Sequence, residues 1–158
     1  MWTTINIRFF LSLDRGAGGI PSKRNGKMFS RFMSKHESFR EVMMDHELAA
    51  LGDSLVNFLY SLTLSIRYGK PRGVRVDGRI LSDAISKADL RRLLPSKLDR
   101  HMKADAAEAL IAYAWMRNVF SIEDAVEILS SIEDASDAFS QLLIKAKEGL
   151  EKIWLNRK

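Results

Sequence analysis

The chain contains no cysteine. That excludes disulfide staples and thiolate zinc sites, and it suits a reducing compartment, so a cytoplasmic location is expected. No apolar run reaches the length needed to cross a bilayer. The apolar-rich stretch 55–66 is too short and is broken by Asn57, Ser61, Thr63 and Ser65. No membrane partner is therefore expected. Near the N-terminus, Ile5, Ile7, Phe9, Phe10 and Leu11 lack both a basic start and a small-residue cleavage site, which rejects an export signal. Internal repeats and low-complexity tracts are missing. Gly16, Gly18, Gly19 and Gly26 match neither a phosphate-binding loop nor a dinucleotide fingerprint, so no nucleotide is assigned to them.

What is present reads as one globular domain. The chain has 158 residues, 46% of them hydrophobic and 28% charged, enough to bury a core. The net charge is +5 and the isoelectric point about 9.6, a weak pointer to a polyanionic partner. Its distribution says more than its sum. Residues 67–103 hold eleven basic side chains against four acidic ones, whereas 104–140 hold a single cation, Arg117. A basic segment thus runs directly into an acidic one.

Periodicity predicts an all-α protein. Residues 1–27 read as an N-terminal extension, strand or short amphipathic helix at 2–13 and then a basic, glycine-rich loop, and 28–158 as the main domain. A helix is predicted over 29–44. The clearest helix spans about 46–66, N-capped by Asp45, with Leu48, Leu51, Leu55, Phe58, Leu59 and Leu62 in one apolar stripe assigned mainly to packing within the monomer, part of it available to a homodimer. Asp77 or Gly78 opens another. A short one passes Leu90, Leu93 and Leu94 before Pro95 stops it. Further helices are predicted over 103–119, from Ser121 to about 131, and over 136–154. Trp115 and Trp154 read as core, His46 as a helix-start residue, and His36 and His101 as solvated.

Two stretches place carboxylates inside apolar helical patterns: His46-Glu47-Leu48-Ala49-Ala50-Leu51-Gly52-Asp53-Ser54-Leu55, and Lys103-Ala104-Asp105-Ala106-Ala107-Glu108-Ala109-Leu110-Ile111. A carboxylate beside a core is costly unless a cation or metal ion balances it. Asp53 sits at the rim of the leucine stripe with Asn57 one turn on. Asp105 and Glu108, three apart, point the same way. Packing of the two helices would bring Asp53, Asp105 and Glu108 together as a hard oxygen site for Mg²⁺ or Mn²⁺, with Asn57 as a supporting hydrogen-bond donor.

The pattern Leu48-x-x-Leu51-Gly52-Asp53-Ser54-Leu55 resembles the signature helix of the ribonuclease III family. Ala104-Asp105-Ala106-Ala107-Glu108-Ala109-Leu110-Ile111 resembles that family's second acidic motif, Ala-Asp-x-x-Glu-Ala-Leu-Ile. The resemblance implies an all-α endonuclease domain, a multi-helix bundle, that cleaves double-stranded RNA as a homodimer with a divalent metal. Asp53 and Glu108 would be metal ligands, and Asp105 a ligand or water positioner. Products would carry 5′-phosphate and 3′-hydroxyl ends. Lys70, Arg72, Arg75, Arg79 and Lys103 would contact the RNA backbone. Ala49 departs from the pattern, standing where the signature helix usually carries Glu, and His46 occupies the more upstream Glu position. Ala49 thus favours an alternative, a catalytically degenerate member that binds RNA or a ribonucleoprotein without cutting it. With the last predicted helix ending near Trp154, no C-terminal double-stranded-RNA-binding domain is expected, and the chain resembles the stand-alone Mini-III members, which also tolerate the loss of that Glu.

Overall fold

The computed structural model describes residues 28–33 and 35–156. The readings for residues 1–27 lie outside them. Among the described residues the helices after the short helical stretch at 28–29 are α1 (Phe39–Met43), α2 (His46–Tyr68), α3 (Gly78–Lys87), α4 (Arg100–Met116), α5 (Ile122–Ser131) and α6 (Ala135–Leu155), with a 3₁₀ turn at Arg91–Leu93. No strand occurs among the described residues. The protein is an all-α bundle, as the sequence predicts.

Short polar side chains start nearly every helix by satisfying its first free N–H groups. Asp45 Oδ1 accepts from Leu48 N at 2.9 Å and opens α2. Asp99 Oδ1 accepts from Met102 N at 2.9 Å and opens α4 three residues before the predicted start. Ser121 and Asp124 form a reciprocal capping box on α5. At the other end of α2, Gly69 takes the left-handed conformation (φ 65°) that closes the helix. Just beyond α4, Asn118 adopts φ 58°, so the helix stops short of the predicted 119.

α4 is the central element, packing against α1, α2, α3 and α6. Its Ala106, Ala107, Ala109, Leu110, Ile111 and Ala114 are fully buried on every side, which only a helix surrounded by others can be. α2 lies on α4 and α5.

Four expectations need correction. The segment 29–44 is not one helix, because Ser38 caps a new start: its side chain accepts from Glu41 N and only Phe39–Met43 is helical after it. His36 is buried rather than solvated, with Nε2 3.0 Å from Asp45 Oδ2, where it steadies the cap of α2. The leucine stripe of α2 faces the core only in part: Leu48 and Leu59 are buried and Leu55 and Leu62 pack against the core, as expected, but its other two members do not. Val56, Leu59 and Thr63 are fully buried with Leu48, Ala49 and Gly52 beside them, whereas Leu51 and Phe58 are 43% and 53% exposed. Finally, α2 is long and apolar enough to cross a membrane by length and composition, its best window having a mean hydropathy of 1.2. The polar breaks at Asn57, Ser61, Thr63 and Ser65 do not lower it enough. Trp115 and Trp154 are half-buried against the core, Trp115 tilted against Phe29 and Trp154 edge-on to Phe39, with ring centroids 5.3 and 4.7 Å apart. His46 and His101 are exposed.

Candidate functional site

α2 and α4 approach closely at Gly52. A Cβ added there would collide with the backbone carbonyl of Glu108, so only glycine permits this approach. The consequence is chemical. With the Gly52 backbone against Glu108, the next residue on α2, Asp53, enters the electrostatic neighbourhood of Glu108 and of Asp105, one turn earlier on α4.

Glu108 registers that crowding. Its carboxyl is pushed up to about 7 by burial first, then by the negative charges of Asp53 and Asp105, with Arg75 partly opposing. A half-buried carboxylate within electrostatic reach of two others, with one guanidinium in partial relief, is an unbalanced anionic junction. Asp53 is better served. Asn57 Nδ2 donates to its Oδ1 at 3.0 Å, and Arg75 donates to Oδ2 at 3.3 Å and to Oδ1 at 3.5 Å. Both partners of the ion pair face water, the Arg75 side chain 82% and Asp53 43% exposed, so it is weak.

Asn57 has a second task. Its Oδ1 accepts from Val76 N at 2.8 Å, tying the segment after α2 back onto the helix beside Asp53. The sequence places Asn57 near Asp53 but gives no account of this bridge, nor of Ser61 and Ser65, which hold Val74 and Arg72 in the same way. The spacing that signals it is visible in retrospect: Asp53, Asn57, Ser61 and Ser65 recur every fourth residue.

Of the cations proposed for RNA, Arg75 stands at the junction. Lys103 is half-buried on α4, two residues before Asp105. Arg79 is exposed in the first turn of α3. Lys70 is exposed just past the end of α2 and Arg72 is exposed beside its last turns, where its N–H meets Ser65, both roughly 20 Å along the helix from Asp53 at 1.5 Å per residue. The Arg72 guanidinium lies 4.2 Å from the centre of the Tyr68 ring.

The donor set suits a hard divalent ion in type and charge, since its three acidic side chains carry oxygen ligands and excess negative charge. The side chains do not converge as they stand. Among the described residues, no group of three or more acidic or histidine side chains could hold a metal ion as placed. Asp53 is engaged by Arg75 and Asn57 instead.

Fold and junction together define a class: an all-α domain whose central helix meets a neighbouring long helix through a glycine, with acidic residues from both nearby. The ribonuclease III family model matches residues 46–152, from the first residue of α2 nearly to the end of α6, and the chain belongs to that family. No curated protein matches it. Membership supports an RNA-related nuclease function.

Proposed function

We propose that the protein is a divalent-metal-dependent endoribonuclease that cuts double-stranded or structured RNA, in RNA processing, and leaves 5′-phosphate and 3′-hydroxyl ends. The observation that supports this reading is the junction itself, where the close approach at Gly52 leaves Asp53 and Asp105 within electrostatic reach of the half-buried Glu108 and their charge unbalanced. Asp53, Asp105 and Glu108 would hold Mg²⁺ or Mn²⁺. Such an ion supplies an activated water and neutralises charge on the phosphate. Asn57 orients the Asp53 carboxylate. The exposed cations Lys70, Arg72, Arg75 and Arg79, with Lys103, would spread over successive phosphates of a duplex read by shape.

A homodimer belongs to the same reading. Leu51 and Phe58 are exposed on α2, with half-buried Leu55 and Leu62 on the same face, and Ile66 extends that line at 58% exposure. An apolar stripe along one helix can pair with its own copy about a two-fold axis. Cytoplasmic residence suits the cysteine-free chain.

One observation favours a second reading, that of a degenerate member which binds RNA without cutting it. One turn before Asp53 the buried Ala49, 4% exposed, offers a methyl where the family pattern has a carboxylate. A single assay separates the two. A perfect RNA duplex is incubated with Mg²⁺ or Mn²⁺ and wild type, Asp53→Ala or Glu108→Ala protein. The enzyme reading predicts cleavage by wild type alone. Cleavage that persists in both variants would remove the site assignment, and duplex binding without cleavage under either metal would favour the degenerate reading.

A further inference from the structure

The segment following α2 is fastened to that helix in register. Ser65 Oγ accepts from Arg72 N at 2.9 Å, Ser61 Oγ from Val74 N at 3.0 Å, and Asn57 Oδ1 from Val76 N at 2.8 Å. Side chains four residues apart on the helix thus meet N–H groups two residues apart on the segment. Four helical residues rise about 6 Å and two extended residues about 6.6 Å, so the two ladders match. Residues 72–76 therefore form an extended strap running back along α2 toward Asp53.

The strap is fixed, but the arm it carries is not. Arg75 projects from between two of the anchors and reaches Asp53 through a long, water-exposed contact of 3.3 Å. Such a contact is worth at most about 1 kcal/mol and is easily exchanged. Its position also makes it a rival. A guanidinium on Asp53 occupies the carboxylate that a divalent ion would need, and its positive charge repels that ion. Phosphate is the better partner for a guanidinium, because the planar fork can engage two of its oxygens.

We propose that Arg75 is an exchangeable counter-ion. In the free protein it rests on Asp53 and opposes metal binding. When RNA docks, it transfers to a backbone phosphate and releases Asp53, so the duplex and the metal favour each other's binding. The inference rests on the metal-dependent reading above and adds to it a positioning residue that couples the two ligands.

The test compares wild type with Arg75→Gln and Arg75→Lys, all first shown to unfold at the same temperature. Mn²⁺ is titrated into RNA-free protein at constant ionic strength and followed by electron paramagnetic resonance. Binding of a short RNA duplex is measured separately in EDTA. The expected result for Arg75→Gln is Mn²⁺ binding roughly three- to tenfold tighter together with weaker duplex binding. Arg75→Lys, which keeps the charge, should stay near wild type for Mn²⁺. Opposite shifts in one variant are not the signature of a merely structural residue. Unchanged or weaker Mn²⁺ binding in Arg75→Gln would overturn the exchange, and unchanged duplex binding would overturn the transfer to phosphate. If neither wild type nor variant bound Mn²⁺, the metal-dependent reading would fall with it.

Discussion

Two acidic clusters in this bundle have opposite fates. At the start of α6, Asp134 accepts from Ser136 Oγ at 2.6 Å and from Asp137 N at 2.9 Å, while Lys87 Nζ donates to Asp137 at 2.6 Å and to Ser136 at 2.6 Å. Every charge there has a close partner. The hydrogen bond from Ser136, the Asp137 backbone and then Lys87 pull the Asp134 carboxyl down to about 2, and Asp137 in turn raises the Lys87 ammonium. At the α2–α4 junction the acids outnumber their partners, and Glu108 moves the opposite way, up to about 7. The first cluster is a helix start stapled to the end of α3. The second carries a charge imbalance that a cation from outside would relieve. The lesson is that acidic side chains alone do not mark a site; their unmet demand does.

Substitutions should break this contrast to different extents. The largest effect is expected on RNA cleavage. Asp53→Asn should slow it by about a thousandfold or more, the scale of several kcal/mol of lost charge stabilisation at a phosphate. Lys87→Ala should leave the rate unchanged. A cleavage assay that finds the two variants alike would erase the distinction. Gly52→Ala comes next. Its methyl meets rigid backbone at Glu108, so the helices must separate, at a cost of about 1–3 kcal/mol in denaturant unfolding and a further loss of cleavage.

Glu108→Gln sharpens the comparison through pH. The folded carboxyl lies near 7, above the ordinary value of 4.5. A raised acid favours the fold below its unfolded value and loses that contribution as pH climbs through the folded value. Wild type should therefore be weakened between pH 4.5 and 7 by a term the glutamine lacks. Above pH 7 the variant should be the more stable, on the order of 1–2 kcal/mol after water at the half-open site screens the charges. The smallest effect belongs to Asp134→Ala, a modest fall in Tm. Because the Asp134 acid is depressed, its contribution is present above the unfolded value and disappears only as pH falls toward 2. Thermal melts at pH 7 and pH 2 should show the difference between wild type and variant shrinking at the lower pH.

The sequence made the helices and the acids legible for separable reasons. α2, α4 and α6 announce themselves because apolar side chains repeat at three and four, and caps such as Asp45 and Ser121 sit where short polar residues end a loop. Asp53, Asp105 and Glu108 stand out because carboxylates are expensive in such patterns. Which face of α2 would be covered was less accessible. Leu51 and Phe58 look like core beside Leu48 and Leu59, yet they are exposed, and the inner face is completed by Ala49, Gly52 and Val56, with glycine required where the Glu108 backbone meets the helix. His36 looked solvated because its partner Asp45 lies nine residues on, and the turn that joins them has no period to read. The strap is not legible because Asn57, Ser61 and Ser65 meet it through its backbone N–H groups, and an extended segment after a helix carries no pattern of its own.

The central claim, that Asp53 and Asp105 crowd a half-buried Glu108, can be read from one titration. Carbon-13 NMR of the Glu108 carboxyl in metal-free protein should give a midpoint near 7, and Asp53→Asn should lower it. A midpoint at the ordinary 4.5, indifferent to Asp53, would show that the acids do not share a site and would contradict the account.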